Sequence, residues 1–93
     1  MLQQSRVEFY KVKAGQTIEK IAEYFSVSEY LLSKINALTE PPFEGQILRI
    51  PKEVGNAYFV QAGDTKELLC GSAENYFRKN GTDIFYIGMR IIL

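Results

Sequence analysis

Apolar and polar positions alternate with two different periods between Tyr10 and Pro51. Tyr10-Lys11-Val12 and Leu48-Arg49-Ile50 alternate residue by residue, which predicts short half-buried strands. Between them Ile18, Ile21, Ala22 and Phe25 recur at i, i+3, i+4 and i+7, the spacing of one helical face. Leu31, Leu32 and Ile35 predict the inward face of a second short helix. The order is strand, turn, helix, helix, loop, strand.

The boundaries of these elements have local chemical causes. Thr17 and Ser28 stand just before the two helical runs, where a hydroxyl accepts from a first-turn N–H that has no partner within the helix. Glu19 suits the positive end of the first helix. Val27 before the Ser28 cap and Leu32 at the fourth helical position predict a hydrophobic staple. Asn36 suits a left-handed helix end. Upstream, residues 1–5 read as a frayed terminus. Val7 and Phe9 lie in an alternating run that changes phase before Tyr10, and are expected to pack against the second half of the chain or to form a homodimer contact.

The pattern then repeats in worn form. Tyr58, Val60 and Gly63-Asp64-Thr65 match Tyr10, Val12 and Gly15-Gln16-Thr17 at a constant offset of 48, and Leu69-Cys70 stands for Ile21-Ala22. Four residues are then missing, so that Ser72 aligns with Ser28 and Asn80 with Asn36. One more is lost before Gly88-Met89-Arg90-Ile91-Ile92-Leu93, which matches Gly45 to Ile50. The deletion shortens the first helix of the second half to about Thr65–Cys70, and Gly71 removes the staple. So short a helix depends on tertiary packing. Phe59 is expected to dock on the first half in compensation, and Cys70 to be a small buried helical residue.

Tyr10-x-Val12, Gly15-Gln16-Thr17, Ile21-Ala22, Phe25-x-Val27-Ser28, Leu32, Asn36 and Gly45-Gln46-x-Leu48-x-Ile50-Pro51 together resemble the LysM (lysin motif) family. Gln16 departs from the aspartate usual at that position. The resemblance implies an α+β protein of two βααβ repeats, residues 1–55 and a degenerate 56–93, each a two-stranded antiparallel sheet packed on two short helices. It also implies binding of N-acetylglucosamine-containing glycans such as peptidoglycan or chitin. The family's ligand contacts fall on two loops, which nominates Gly15, Gln16, Thr17, Ile18, Ala37, Leu38 and Thr39. In the second repeat they fall on Gly63, Asp64, Thr65, Thr82, Asp83 and Ile84, where Lys66 replaces Ile18 and no proline pair stiffens the loop.

Composition narrows the field around that expectation. Eleven basic and eleven acidic residues give zero net charge, and the balance holds within each half, seven of each sign in 1–55 and four of each in 56–93. Nucleic acid and anionic membrane surfaces call for a cationic excess that is absent. The chain has no histidine, which removes the usual general base and metal ligand, and its single cysteine forms no intrachain disulfide. No cofactor is expected. Asp64 and Asp83 are the one carboxylate pair on facing loops, and a cap and a turn account for them. No apolar run reaches membrane-spanning length, and MLQQSRVEF does not read as a signal peptide. The chain is expected either to be part of a longer or processed protein or to act where it is made.

A neutral glycan suits the loops physically. Gly15 lets backbone amides approach a ligand, Ile18 and Leu38 offer an apolar nook for an acetyl methyl, and Pro41-Pro42 lowers the ordering cost of the second loop. Phe43 is placed either to stack on a sugar or to anchor the loop in the core. The expected function is a non-catalytic carbohydrate-binding module holding a larger bacterial protein to cell-wall polysaccharide, at the wall or outside the cell. The alternative is a protein–protein assembly module of a spore coat, phage tail or secreted complex, or one acting in the cytoplasm.

Overall fold

The computed structural model describes residues 9–52 and 54–93. The expectations for residues 1–5 and for Val7 lie outside them. The elements follow the predicted order twice. Strand β1 (Phe9–Lys11), helices α1 (Ile18–Phe25) and α2 (Glu29–Ile35) and strand β2 (Ile47–Arg49) form the first half. Strand β3 (Ala57–Phe59), helices α3 (Lys66–Cys70) and α4 (Ala73–Asn80) and strand β4 (Arg90–Ile92) form the second. Each strand pair is antiparallel, with Tyr10 opposite Leu48 and Tyr58 opposite Ile91. The register is therefore the same in both halves, as the sequence offsets require.

The two predicted caps form, and so do their counterparts in the second half. Thr17, Ser28, Thr65 and Ser72 accept from the backbone N–H groups of Lys20, Leu31, Leu68 and Asn75. Val27 and Leu32 are both fully buried in the first core, which also holds Val12, Ile21, Ala22 and Leu48. In the second half Tyr76 occupies the position of Leu32. It is buried among Val60, Met89 and Ile91, and its ring meets Phe85 edge-on at 5.4 Å. The larger side chain fills space that the shortened α3 leaves open, and its hydroxyl donates to the Ile84 carbonyl.

Two asparagines have a larger role than ending helices. Asn36 takes a right-handed conformation (φ −101°), and the left-handed residue is Ala37 (φ 51°). The Asn36 amide instead brackets Arg49, donating to its carbonyl and accepting from its N–H, while also donating to the Leu32 carbonyl. Asn80, fully buried, does the same to Ile92 and Tyr76. Each asparagine thus ties the second helix of its half to the closing strand.

The two halves pack through α2 and α4. Gly81 (φ +70°) brings its Cα against Leu31, where an added Cβ would stand 2.7 Å from the Leu31 Cα. Ser28 Oγ donates to the Asn80 carbonyl at 2.8 Å, Arg90 donates to the Val27 carbonyl at 2.9 Å, and Tyr30 packs against the second core. Lys34 Nζ lies 4.1 Å from the centre of the Phe77 ring. The result is a plate of 41 × 37 × 18 Å, so thin that it holds two small cores instead of one.

Four expectations about packing are corrected. Phe9 is 62% exposed and does not pack against the second half, because it points to the outer face of β1; of its two expected roles, exposure is compatible with the homodimer contact. Phe59 is 59% exposed for the same reason on β3; Tyr30 and Arg90 make the contact between halves in its place. Ile35 is 40% exposed, since α2 turns its last residue past the edge of the first core. Cys70 is only half-buried, and that partial burial raises its thiol pKa, with Lys79 opposing.

Candidate functional site

The turn between β1 and α1 is built around Gln16. Its side-chain oxygen accepts from the Tyr10 hydroxyl and from the Lys13 N–H, each at 2.8 Å. Asp64 makes the equivalent pair in the second half, with Tyr58 and Gln61 at 2.7 and 2.8 Å. An amide oxygen and a carboxylate oxygen thus fill one geometric role, which explains why glutamine is accepted here. Gly15 and Gly63 adopt the same positive φ, +80° and +90°, next to these residues. The Asp64 contact raises the Tyr58 hydroxyl above its ordinary range.

The second loop starts where α2 ends. The Ala37 and Leu38 N–H groups close the helix on Lys34 and Ser33 carbonyls, at 3.1 and 3.0 Å, and the left-handed Ala37 turns the chain back toward α1. Ile18 and Leu38, each half-buried, rest on the first core from the two sides.

Between the two loops runs an open groove of about 420 Å³. It contains five of the seven residues expected of it: Gln16, Thr17, Ile18, Leu38 and Thr39. Gly15 and Ala37 do not line it. Gly15 shapes the turn, with open space where a side chain would begin, and Ala37 faces an adjoining hollow of about 230 Å³. Phe43 borders that second hollow and is 66% exposed, so it is no core anchor. Both concavities share Leu38, Thr39, Glu40 and Pro41 as a common ridge.

Sequence reasoning missed Glu19 and Ser33 as lining residues, and gave Glu40, Pro41 and Pro42 only indirect roles. A hydroxyl residue inside an amphipathic helix, one turn before the loop, was the only signal for Ser33. The sequence places Glu19 at the positive end of α1, and helical periodicity separates core from surface without distinguishing a groove from the remaining surface.

In the second half the corresponding surface differs. The left-handed residues Ala37 and Gly81 correspond, so Leu38 and Thr39 align with Thr82 and Asp83, one residue earlier than the loop alignment Thr82-Asp83-Ile84 assumed. Lys66 takes the place of Ile18 and Thr82 that of Leu38, which removes the apolar pair. Lys66 Nζ lies 5.2 Å from the Tyr76 ring centre, and Thr82 Oγ1 accepts from the Ile84 N–H. Thr65 caps α3, and Asp64 is engaged by Tyr58, which leaves Asp64 and Asp83 with structural and exposed positions respectively.

Among the described residues no group of three or more Cys, Asp or Glu side chains is placed to hold a metal ion, and no helix is long and apolar enough to cross a membrane.

Residues 10–51 match the family model described as LysM domain. Among solved structures, the spore cortex-lytic enzyme SleL of Bacillus megaterium is 29% identical, with a TM-score of 0.44 over 91% of this chain. SleL of Bacillus cereus is 21% identical, with a TM-score of 0.46 over 92%. The chain covers 22% of the length of either enzyme. No curated protein matches it. The unit that begins at Tyr10 and closes at Pro51, with its capped helices, paired strands and Asn36 clamp, belongs to the LysM domain family.

Proposed function

We propose that residues 10–51 bind N-acetylglucosamine-containing glycan, of peptidoglycan or chitin type, in the groove between Gln16–Glu19 and Leu38–Pro42. The single observation behind this reading is that two loops 20 residues apart in sequence line one concavity, with an apolar pair, Ile18 and Leu38, beside hydroxyls from Thr17, Ser33 and Thr39. An acetamido group asks for that combination of apolar contact and hydrogen bonding. The chain acts without catalysis and attaches a larger protein to wall or spore glycan, with residues 1–55 and 56–93 as two repeats. The second repeat, lacking the apolar pair, serves mainly to support the first. Glycan binding through one shallow groove is weak, so attachment gains when several such units act together.

Titration with chitooligosaccharides, followed by amide NMR, tests this. Shifts are expected to concentrate at Gly15–Glu19, Ser33 and Ala37–Glu40 and to be absent from α4. Leu38→Asp should weaken binding at least tenfold by placing a charge in the apolar nook. A second reading, assembly with other protein chains, draws on the exposed Leu68, Tyr86 and Ile87 of the second half. A flat titration together with concentration-dependent self-association would favour it over the glycan.

A further inference from the structure

The groove carries charge of one sign. Among its lining residues only Glu19 and Glu40 ionise, and both are exposed carboxylates on opposite walls, one in the first turn of α1 and one in the second loop. The nearby cations are directed elsewhere. Lys34, next to Ser33, lies over Phe77, and Lys11 and Lys13 border a separate hollow with Glu44. Lys20 follows Glu19 on α1 but does not line the groove. Glu29, in the first turn of α2, is held above the ordinary carboxylate range by burial first and Glu19 second, with Arg90 opposing.

We propose that this groove selects among amino-sugar glycans by charge. It favours segments in which a glucosamine with a free ammonium group sits among N-acetylated neighbours, and it disfavours segments whose sugars carry carboxylates. The inference rests on the reading that the groove binds N-acetylglucosamine glycan. The physical cause is simple Coulombic pairing near a surface. Each exposed ammonium–carboxylate contact is modest, and the approach of a ligand carboxylate to Glu19 or Glu40 is unfavourable by a similar amount. Together two such groups should separate the cationic and anionic ligands by roughly two- to tenfold, an effect that salt weakens as the screening length shortens.

The test compares three oligosaccharides of equal length at about pH 6, where free carboxylates are ionised and an amine is protonated. One is fully N-acetylated, one has a single internal glucosamine, and one carries an N-acetylmuramic acid carboxylate. Affinities are measured by calorimetry for the full chain and for a Glu19→Gln/Glu40→Gln variant, at low and high ionic strength, with amide NMR to confirm that the variant is folded. The expected result is the order ammonium, neutral, carboxylate for the unaltered chain, with the ratio between the first and last collapsing toward one in the variant and at high salt. Equal affinities in the unaltered chain, or a ratio that survives the double substitution, would overturn the charge selection while leaving glycan binding intact. Failure of the unaltered chain to bind all three would remove the underlying reading and this inference with it.

Discussion

Tyr76 shows how one side chain can stand in for several. Its counterpart Leu32 sits in a core that α1 completes, whereas Tyr76 must fill the volume left by four missing residues and place a hydroxyl on the Ile84 carbonyl. Burial, followed by Cys70, Tyr30, Tyr86 and Asp83, pushes its pKa up to about 12. Replacing Tyr76 with Phe removes the hydroxyl and leaves that carbonyl without its partner, which should cost about 1–2 kcal/mol near neutral pH. The pH dependence has a definite sign. Because the folded state holds the proton more tightly than the ordinary value of 10.0, the contribution is fully present below pH 10 and is lost as pH rises through about 12. In urea unfolding, the gap between wild type and Tyr76→Phe should therefore narrow between pH 10 and pH 12. A constant gap would show that the hydroxyl proton is not coupled to folding.

Among the elements, the strand-to-helix clamps carry more than the helix ends do. Asn36→Ala removes three hydrogen bonds at a half-exposed site, where water replaces some of them, and should cost about 1–2 kcal/mol. Asn80→Ala removes the same three where no water reaches, which strands the Ile92 N–H and carbonyl, and should cost about 3 kcal/mol or more. Chemical denaturation of the two variants decides whether burial sets the difference; equal losses would mean that it does not. The sequence showed where these elements begin, since Thr17, Ser28, Thr65 and Ser72 act locally, through N–H groups three residues on. Given the observed pairing of Tyr10 with Leu48, the sequence offsets of 48 and 43 residues carry the same register to Tyr58 and Ile91. The sequence did not show the Asn36–Arg49 and Asn80–Ile92 contacts, which join residues 13 and 12 apart and follow from no periodicity. The groove was legible to the same extent: the two loops were, and the wall residues Glu19 and Ser33, placed by tertiary packing, were not.

For the molecule as a whole, the contact between the halves decides whether it folds as one body. Gly81 lies so close to α2 that any side chain must displace Leu31, and its positive φ adds strain. Gly81→Val is expected to cost at least 2–3 kcal/mol and to split a single thermal transition into two, since the second core depends on Tyr30 from the first half. Calorimetry with the ratio of van 't Hoff to calorimetric enthalpy checks this, and a single unshifted transition in the variant would show that the Gly81 contact with α2 does not couple the halves. Arg90→Ala, which withdraws the donor from the Val27 carbonyl without any steric insertion, should weaken the same junction by about 1–2 kcal/mol.

The Ser28 hydroxyl works in both directions at that junction, receiving the Leu31 N–H and giving its own proton to Asn80. Anyone grafting the first half onto another scaffold therefore inherits a dangling donor at the start of the helix that carries Ser33. Cutting at the linker without supplying a new acceptor would loosen one wall of the groove, so transplants should retain the worn second half as a buttress or replace Asn80's carbonyl with a designed substitute.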